Sequence, residues 1–447
     1  MKKLIFVFVA TVYAAVAFGQ DSLKAWDKVF EEAKQNPAAF TKLKVRVGAD
    51  FALQFQSLQH HADSLLIPLG GNINLPAANL TVESELAPGI KVNLVTYLAA
   101  RHHNESWVKG GYLLVDALPF FKSQTVDNIM KYLTLKVGVM ELNYGDDHFY
   151  RSDNGRVINN PFVGNYILDG FTTAPAAELY FRWKGITAMA AATSGNLKPA
   201  LGGYNATTKS WDPYNMGREM AYYFKLAYDK KLTEKIRIRP SVSGYLCSDT
   251  HGGTLYAGDR AGSRYFLVMN KQSLGTSPAY DITANVTNGY FGPGSFTKNT
   301  SIMGNLYAWI YGFELFGTYE MANGNTGFEV TSPTGVVTPA RKYSFTHMNI
   351  QGLYYFGGQK QFYVGGRYNV VSRNATDAVG TVPAMDKMST SRIQAAAGWK
   401  ITPNVIAKVE YVIQDYKNFN KDKTGYANYG PGAAGFKGLM VEAGISF

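Results

Sequence analysis

The chain closes on FKGLMVEAGISF (436–447), and the two faces of that stretch decide how the rest is read. Successive side chains of an extended strand point to opposite sides. Leu439, Val441, Ala443, Ile445 and Phe447 therefore share one face, and Met440, Glu442, Gly444 and Ser446 the other. The first face is apolar to the last residue. A bare apolar edge invites pairing with other chains, so the pattern predicts that another strand covers it. KVRVGADFALQF (44–55) supplies the match, with Val45, Val47, Ala49, Phe51, Leu53 and Phe55 opposed to Lys44, Arg46, Asp50 and Gln54. A strand of about eleven residues crosses a bilayer at a tilt. Pairing of the last strand with the first, around 45–55, would close a barrel and abolish the edge.

The 447 residues are 46% hydrophobic and 14% aromatic, with 45 glycines and 30 tyrosines, a composition suited to an all-β protein. MKKLIFVFVATVYAAVAFGQ (1–20) has the layout of a secretory signal peptide, with cleavage expected after Gly19. Removing Lys2 and Lys3 lowers the net charge from +11 to +9. Cys247 is the single cysteine, so no intrachain disulfide staples the exported chain. Residues 20–40 are expected to form a short periplasmic amphipathic helix within DSLKAWDKVFEEAKQN, ended by Pro37, and residues 41–447 the barrel.

From there the alternation repeats. Short turns at Pro88-Gly89, Lys184-Gly185, Tyr311-Gly312, Gly357-Gly358 and Pro403 join paired apolar/polar runs. Longer polar segments separate them at 59–77, 145–173, 195–218, 248–300, 322–340, 372–388 and 416–435. The fold class read from this is all-β: a transmembrane antiparallel β-barrel of about sixteen strands, within a range of 14 to 18. RYFLVMN (264–270) in the longest loop is a candidate extra strand. A soluble sandwich also alternates, but it would not carry mid-strand charges on one face. Nor would Trp183, Tyr222, Phe224, Tyr228, Trp399, Tyr411 and Phe447 gather at strand ends, as in an aromatic girdle.

The signal peptide, the terminal Phe447 and the segments NYGDDHFYRSDNGRVINNPFVGNYILDGF, YGFELFGTYE and GWKITPNVIAKVEYVIQDY together resemble porin-like outer-membrane β-barrel proteins of Bacteroidota. The resemblance implies the cell outer membrane as location, and implies that Phe447 is the signal read by the barrel-assembly machinery. In general porins, which the topology resembles, the third long loop folds into the barrel. Here that is 145–173, so Asp146, Asp147, Asp153, Arg151 and Arg156 become candidates for a constriction.

If the apolar face meets lipid, the polar face lines the pore. The bases placed there are Lys44, Arg46, Lys91, Lys136, Arg182, Lys225, Arg237, Arg239, Arg367, Arg392, Lys400 and Lys408. The acids are Asp50, Glu83, Glu85, Glu178, Glu314, Glu410 and Glu442. A cationic excess in a confined pore favours anions. Passive diffusion of small hydrophilic solutes with a modest anion preference is thus the expected function. The alternative is a plugged barrel serving as a partner subunit of an uptake or secretion complex. Arg237 and Arg239 share a face and suit a phosphate or carboxylate. His60, His61, His102, His103 and His148 lie at strand ends or in loops, but adjacent histidines of a strand diverge, so no metal site is expected. His347 with Ser344 and Asn349 forms no catalytic motif, and no enzyme activity or cofactor is expected. Expected partners are lipid, the assembly machinery and small solutes, with a homo-oligomer left open and no nucleic acid.

Overall fold

Period-two alternation builds sixteen antiparallel strands that close on themselves. The computed structural model describes residues 29–447 apart from 33, 35–39, 74–76, 100–105, 152–156, 198–202, 206–209, 213–218, 249, 251, 257–263, 273–288, 327–329, 332–336, 339, 376–385, 420–428 and 431. In chain order the first eight strands are β1 (Lys44–His61), β2 (Ala77–Ala87), β3 (Ile90–Ala99), β4 (Ser106–Val115), β5 (Leu133–Glu141), β6 (Thr173–Trp183), β7 (Ile186–Thr193) and β8 (Ala221–Tyr228). The second eight are β9 (Ile236–Cys247), β10 (Lys298–Ile310), β11 (Phe313–Thr326), β12 (Arg341–Phe356), β13 (Phe362–Arg373), β14 (Met388–Thr402), β15 (Val405–Lys417) and β16 (Ala434–Ser446). Each pairs with its neighbour in sequence, and β16 returns to β1. The closing register runs from Asp50↔Ser446 to His61↔Gly435, and the Phe447 and Ala49 backbones exchange hydrogen bonds of 3.0 and 2.9 Å. Pairing thus lies further along β1 than the expected 45–55. Strands of a closed barrel tilt, and the tilt staggers first against last.

Tight turns lie at one end and long loops at the other. Lys184 and Gly185 (φ 47° and 89°) and Tyr311 and Gly312 (φ 52° and 98°) are left-handed pairs, the geometry that matches the twist of two-residue hairpins. One connection at the short-turn end breaks the pattern. Between β4 and β5 lies the one α-helix among the described residues, α1 (Gln124–Met130), whose N-terminus is capped by the Ser123 hydroxyl at 3.5 Å from the Val126 amide.

Two sequence expectations change. RYFLVMN is no strand: Arg264, Leu267 and Met269 have φ of 70°, 63° and 60°, so the segment coils into the lumen. The helix expected near the N-terminus lies mostly outside the described residues, as do Gly19 and the signal peptide. Of its described part, Val29–Phe30–Glu31 is a bend, not a helix, and enters the barrel.

The outward face is apolar all round: Leu226, Leu306, Ile350 and Ile393 are each more than half exposed. Trp183, Tyr222, Phe224, Tyr411 and Phe447 are exposed on it as well. An apolar belt this extensive requires a hydrocarbon surrounding. Leu306→Arg, on the belt in the middle of β10, is expected to lower the stability of the vesicle-inserted barrel by about 2–4 kcal/mol. Urea titration of the heat-modifiable gel band measures this.

Candidate functional site

The loop joining β5 to β6, residues 142–172, turns inward and crosses to the wall formed by β8 to β16. A loop buried this way carries amide and carbonyl groups with no ladder to join, and each must find a partner. The inward charges supply them. Glu410 accepts from the Val163 and Gly164 amides (2.8 and 3.1 Å), and Asn369 from Ile167 (2.6 Å). Lys408 donates to the carbonyls of Val157 and Asn160 (2.8 and 2.9 Å), Arg367 to Gly164 (3.0 Å) and Arg392 to Asn165 (2.5 Å).

The loop is anchored by Asp146, which meets Lys225 at 3.0 Å, Arg239 at 3.1 Å and Ser241 at 2.7 Å. Gly145 turns the chain there with φ 68°. Burial on its own would raise the Asp146 carboxyl, but Lys225 and Arg239 more than offset it and hold the group far below its usual range. Asp147 behaves oppositely. Burial, against the pull of His347 on β12, pushes it up to about 6. Thr318 on β11 donates to it, Asn305 on β10 does so at 3.1 Å, and Glu320 and Asp146 add to the rise.

A second insertion comes from the loop between β9 and β10. Arg264 pairs with Glu442 at 2.8 Å, Tyr265 donates to Glu410 at 2.5 Å, and Phe266 exchanges bonds of 2.9 and 3.1 Å with Gln56. Tyr256 donates to Glu320 at 2.6 Å, as does Tyr144 of the first loop at 2.8 Å. The loops also join each other through the Phe291 amide and Ile167 carbonyl, 2.7 Å apart. A third occupant is the N-terminal segment, whose Phe30 and Glu31 are buried inside the barrel.

Most of the residues read from sequence as lining the pore are engaged by other side chains or by the loops. Lys408 pairs with Glu442, Lys136 with Glu178 (3.7 Å), and Arg237 with Asp229 (2.6 Å). Lys44 and Arg46 face Glu85 (3.9 and 3.3 Å), and Lys91 faces Glu83 (2.8 Å). Arg182 bonds Thr134 (2.8 Å), and Lys400 lies over the Tyr355 ring. Arg237 and Arg239 each hold a carboxylate already. Asp146 and Asp147 are locked against the wall, and Arg151 pairs with Asp169 (3.0 Å) within the loop. Asp153, Arg156, His102 and His103 lie outside the described residues. His60 contacts the Ile67 carbonyl at 2.6 Å, and His148 contacts Glu141 and Asn143. No cluster of metal-ligating side chains occurs among the described residues.

Space remains along the β2–β5 wall. A cavity of about 300 Å³ is lined by Asp50, Asn79, Asn93, Lys109, Tyr112 and Lys136, among others. Another of about 120 Å³ lies toward Thr134, Tyr180 and Arg182, and both are bordered by Glu32, Tyr112, Lys136 and Glu141. Sequence reading missed Glu31 and Glu32, because an amphipathic pattern around Trp26 masked them as the polar side of a helix.

No family model and no curated protein matches the chain. Among solved structures it is similar to the trimer form of OmpT of Vibrio cholerae (9% identity, 91% of this chain and 100% of that one, TM-score 0.48). It is similar to the anion-selective porin of Comamonas acidovorans (9%, 91% and 100%, 0.48) and to Salmonella typhi OmpF in complex with daunomycin (11%, 90% and 97%, 0.45).

Neutral Asp147 favours the inserted loop. That contribution is full below its ordinary 3.8 and is lost as pH rises through about 6. Proteolysis within 142–172 is therefore expected to be slower near pH 5 than near pH 7.5, and Asp147→Asn should flatten the difference. Asp146→Ala leaves the buried Lys225 and Arg239 to share Glu31, a loss below the ~3–5 kcal/mol of a fully broken buried pair, and should speed cleavage of the loop at both pH values.

Proposed function

We propose that the chain is an outer-membrane barrel that lets small hydrophilic solutes diffuse along a narrow lane on the β2–β5 wall. The observation that carries this is the pair of adjoining cavities on that wall, lined by Asp50, Asn93, Lys109, Lys136 and Arg182 among others, in a lumen that two loops and the N-terminal segment also enter. At ~30 Å³ per water, the larger cavity of about 300 Å³ holds on the order of ten waters. That suits a file of water or one small solute and not a wide pore. Lys109 and Lys136 there oppose Asp50, Glu32 and Glu141. Two bases against three acids leave the lane without a cationic excess, so the anion preference expected from the full set of bases is not carried by this state.

The tight seal over β8–β16 favours a second reading, a non-conducting barrel that serves as a subunit of an uptake or secretion complex. Planar-bilayer recording separates the two. Small, well-resolved current steps with a reversal potential near zero in a salt gradient support the lane, and silence at all voltages supports the second reading. Large steps would contradict both. Phe447, with its backbone paired to Ala49 and its ring exposed, is proposed as the assembly signal. Its deletion is expected to leave export intact and to reduce the heat-modifiable barrel in outer-membrane fractions.

A further inference from the structure

The N-terminal segment occupies the lumen as a ligand would. Phe30 packs edge-on against Phe149, Tyr150 and Tyr307, with ring centroids at 5.6, 6.3 and 5.2 Å, and the Arg239 guanidinium lies 4.3 Å from its ring. Glu31 meets Arg239 at 2.7 Å and Lys225 at 3.3 Å, and accepts from the Asn143 side-chain Nδ2 at 3.2 Å. Glu32 meets Lys91 at 2.8 Å and borders both cavities of the lane. Lys34 ties the segment to Asp116 (3.2 Å) and to the Leu133 carbonyl (2.5 Å) at the short-turn end.

The wall around it depends on these two acids for its charge balance. In the described ion pairs, Lys225, Arg237 and Arg239 are met by Asp146, Asp229 and Glu31. Lys44, Arg46 and Lys91 are met by Glu83, Glu85 and Glu32. Each group has three bases and three acids, and one acid of each belongs to the segment. Withdrawing it leaves an excess positive charge on each group, one beside the aromatic pocket at Lys225 and Arg239 and one on the lane's side at Lys91. Burial by itself would raise the Glu31 carboxyl, but Lys225 and Arg239 more than offset that and keep it ionised.

We propose that Phe30, Glu31 and Glu32 are the tethered occupant of a binding site for small organic acids bearing an apolar or aromatic end. Lys225, Arg239 and Lys91 hold carboxylate in this site, and Phe149 and Tyr307 hold the ring. A solute acid enters when the segment leaves, and the anion preference of the lane belongs to that state. This rests on the reading of the lumen as a solute passage. A short tether presents its occupant at millimolar effective concentration, so free ligand competes poorly with it in the wild-type chain.

The test uses the full chain carrying Phe30→Ala, Glu31→Gln and Glu32→Gln, with acetyl-Val-Phe-Glu-Glu-amide as probe and its Gln-Gln counterpart as control. Calorimetry in detergent is expected to show the variant binding the acidic peptide at least tenfold more tightly than wild type does. The control peptide should bind at least tenfold more weakly than the acidic one. Equal binding by variant and wild type, or equal binding of the two peptides, overturns the proposal. Heat-modifiable mobility checks folding; if the triple variant fails it, Glu31→Gln alone is measured, with a smaller gain in the same direction expected. A barrel that binds the peptide yet passes no current overturns the passage and supports the site. One that conducts but binds no more tightly than wild type overturns the site and spares the passage.

Discussion

Irregular backbone sealed inside a barrel has to find hydrogen-bond partners on the wall, and this constraint organises the lumen. The Val163, Gly164 and Ile167 amides have no strand to join, so they point at Glu410 and Asn369. The Val157, Asn160, Gly164 and Asn165 carbonyls point at Lys408, Arg367 and Arg392. An unmet buried polar group costs about 1–3 kcal/mol, so a loop with many of them can stay inside only if the wall is charged at matching heights. The inward charges of β13 to β16 thus act first as a dock for the loop. Selectivity is left to those that the loop does not reach.

The same logic divides the barrel into two halves. From β8 to β16 the wall is sealed by the two inserted loops, joined to each other at Phe291 and Ile167. From β2 to β5 the loop only begins, and the cavities persist. The N-terminal segment sits at the seam, contacting Lys225 and Arg239 on the sealed side and Lys91 on the open side. It is therefore placed to set the charge of the lane without touching the strand pairing that holds the barrel closed.

Strand number and the hairpin turns were legible because they are local. A Lys-Gly or Tyr-Gly pair between alternating runs imposes its turn without distant help, and the inward face of each strand follows from parity alone. RYFLVMN misleads because its apolar residues match a strand while its place inside the lumen is set by Gln56 and Glu442, 210 and 178 residues away in sequence. α1 went unread because its seven residues give too short a pattern to stand out. Glu31 and Glu32 look like the polar face of any helix until the bases that receive them are brought together.

By itself, the sequence determined which face of each strand is apolar, where the chain turns, and hence that the last strand must meet the first. Those are properties of neighbours along the chain, fixed by period two and by turn chemistry. Only the tertiary structure decided what the inward charges are for. Whether Arg239 faces water, a solute or Asp146 depends on which loops enter the lumen, and that is settled by contacts between residues far apart in sequence.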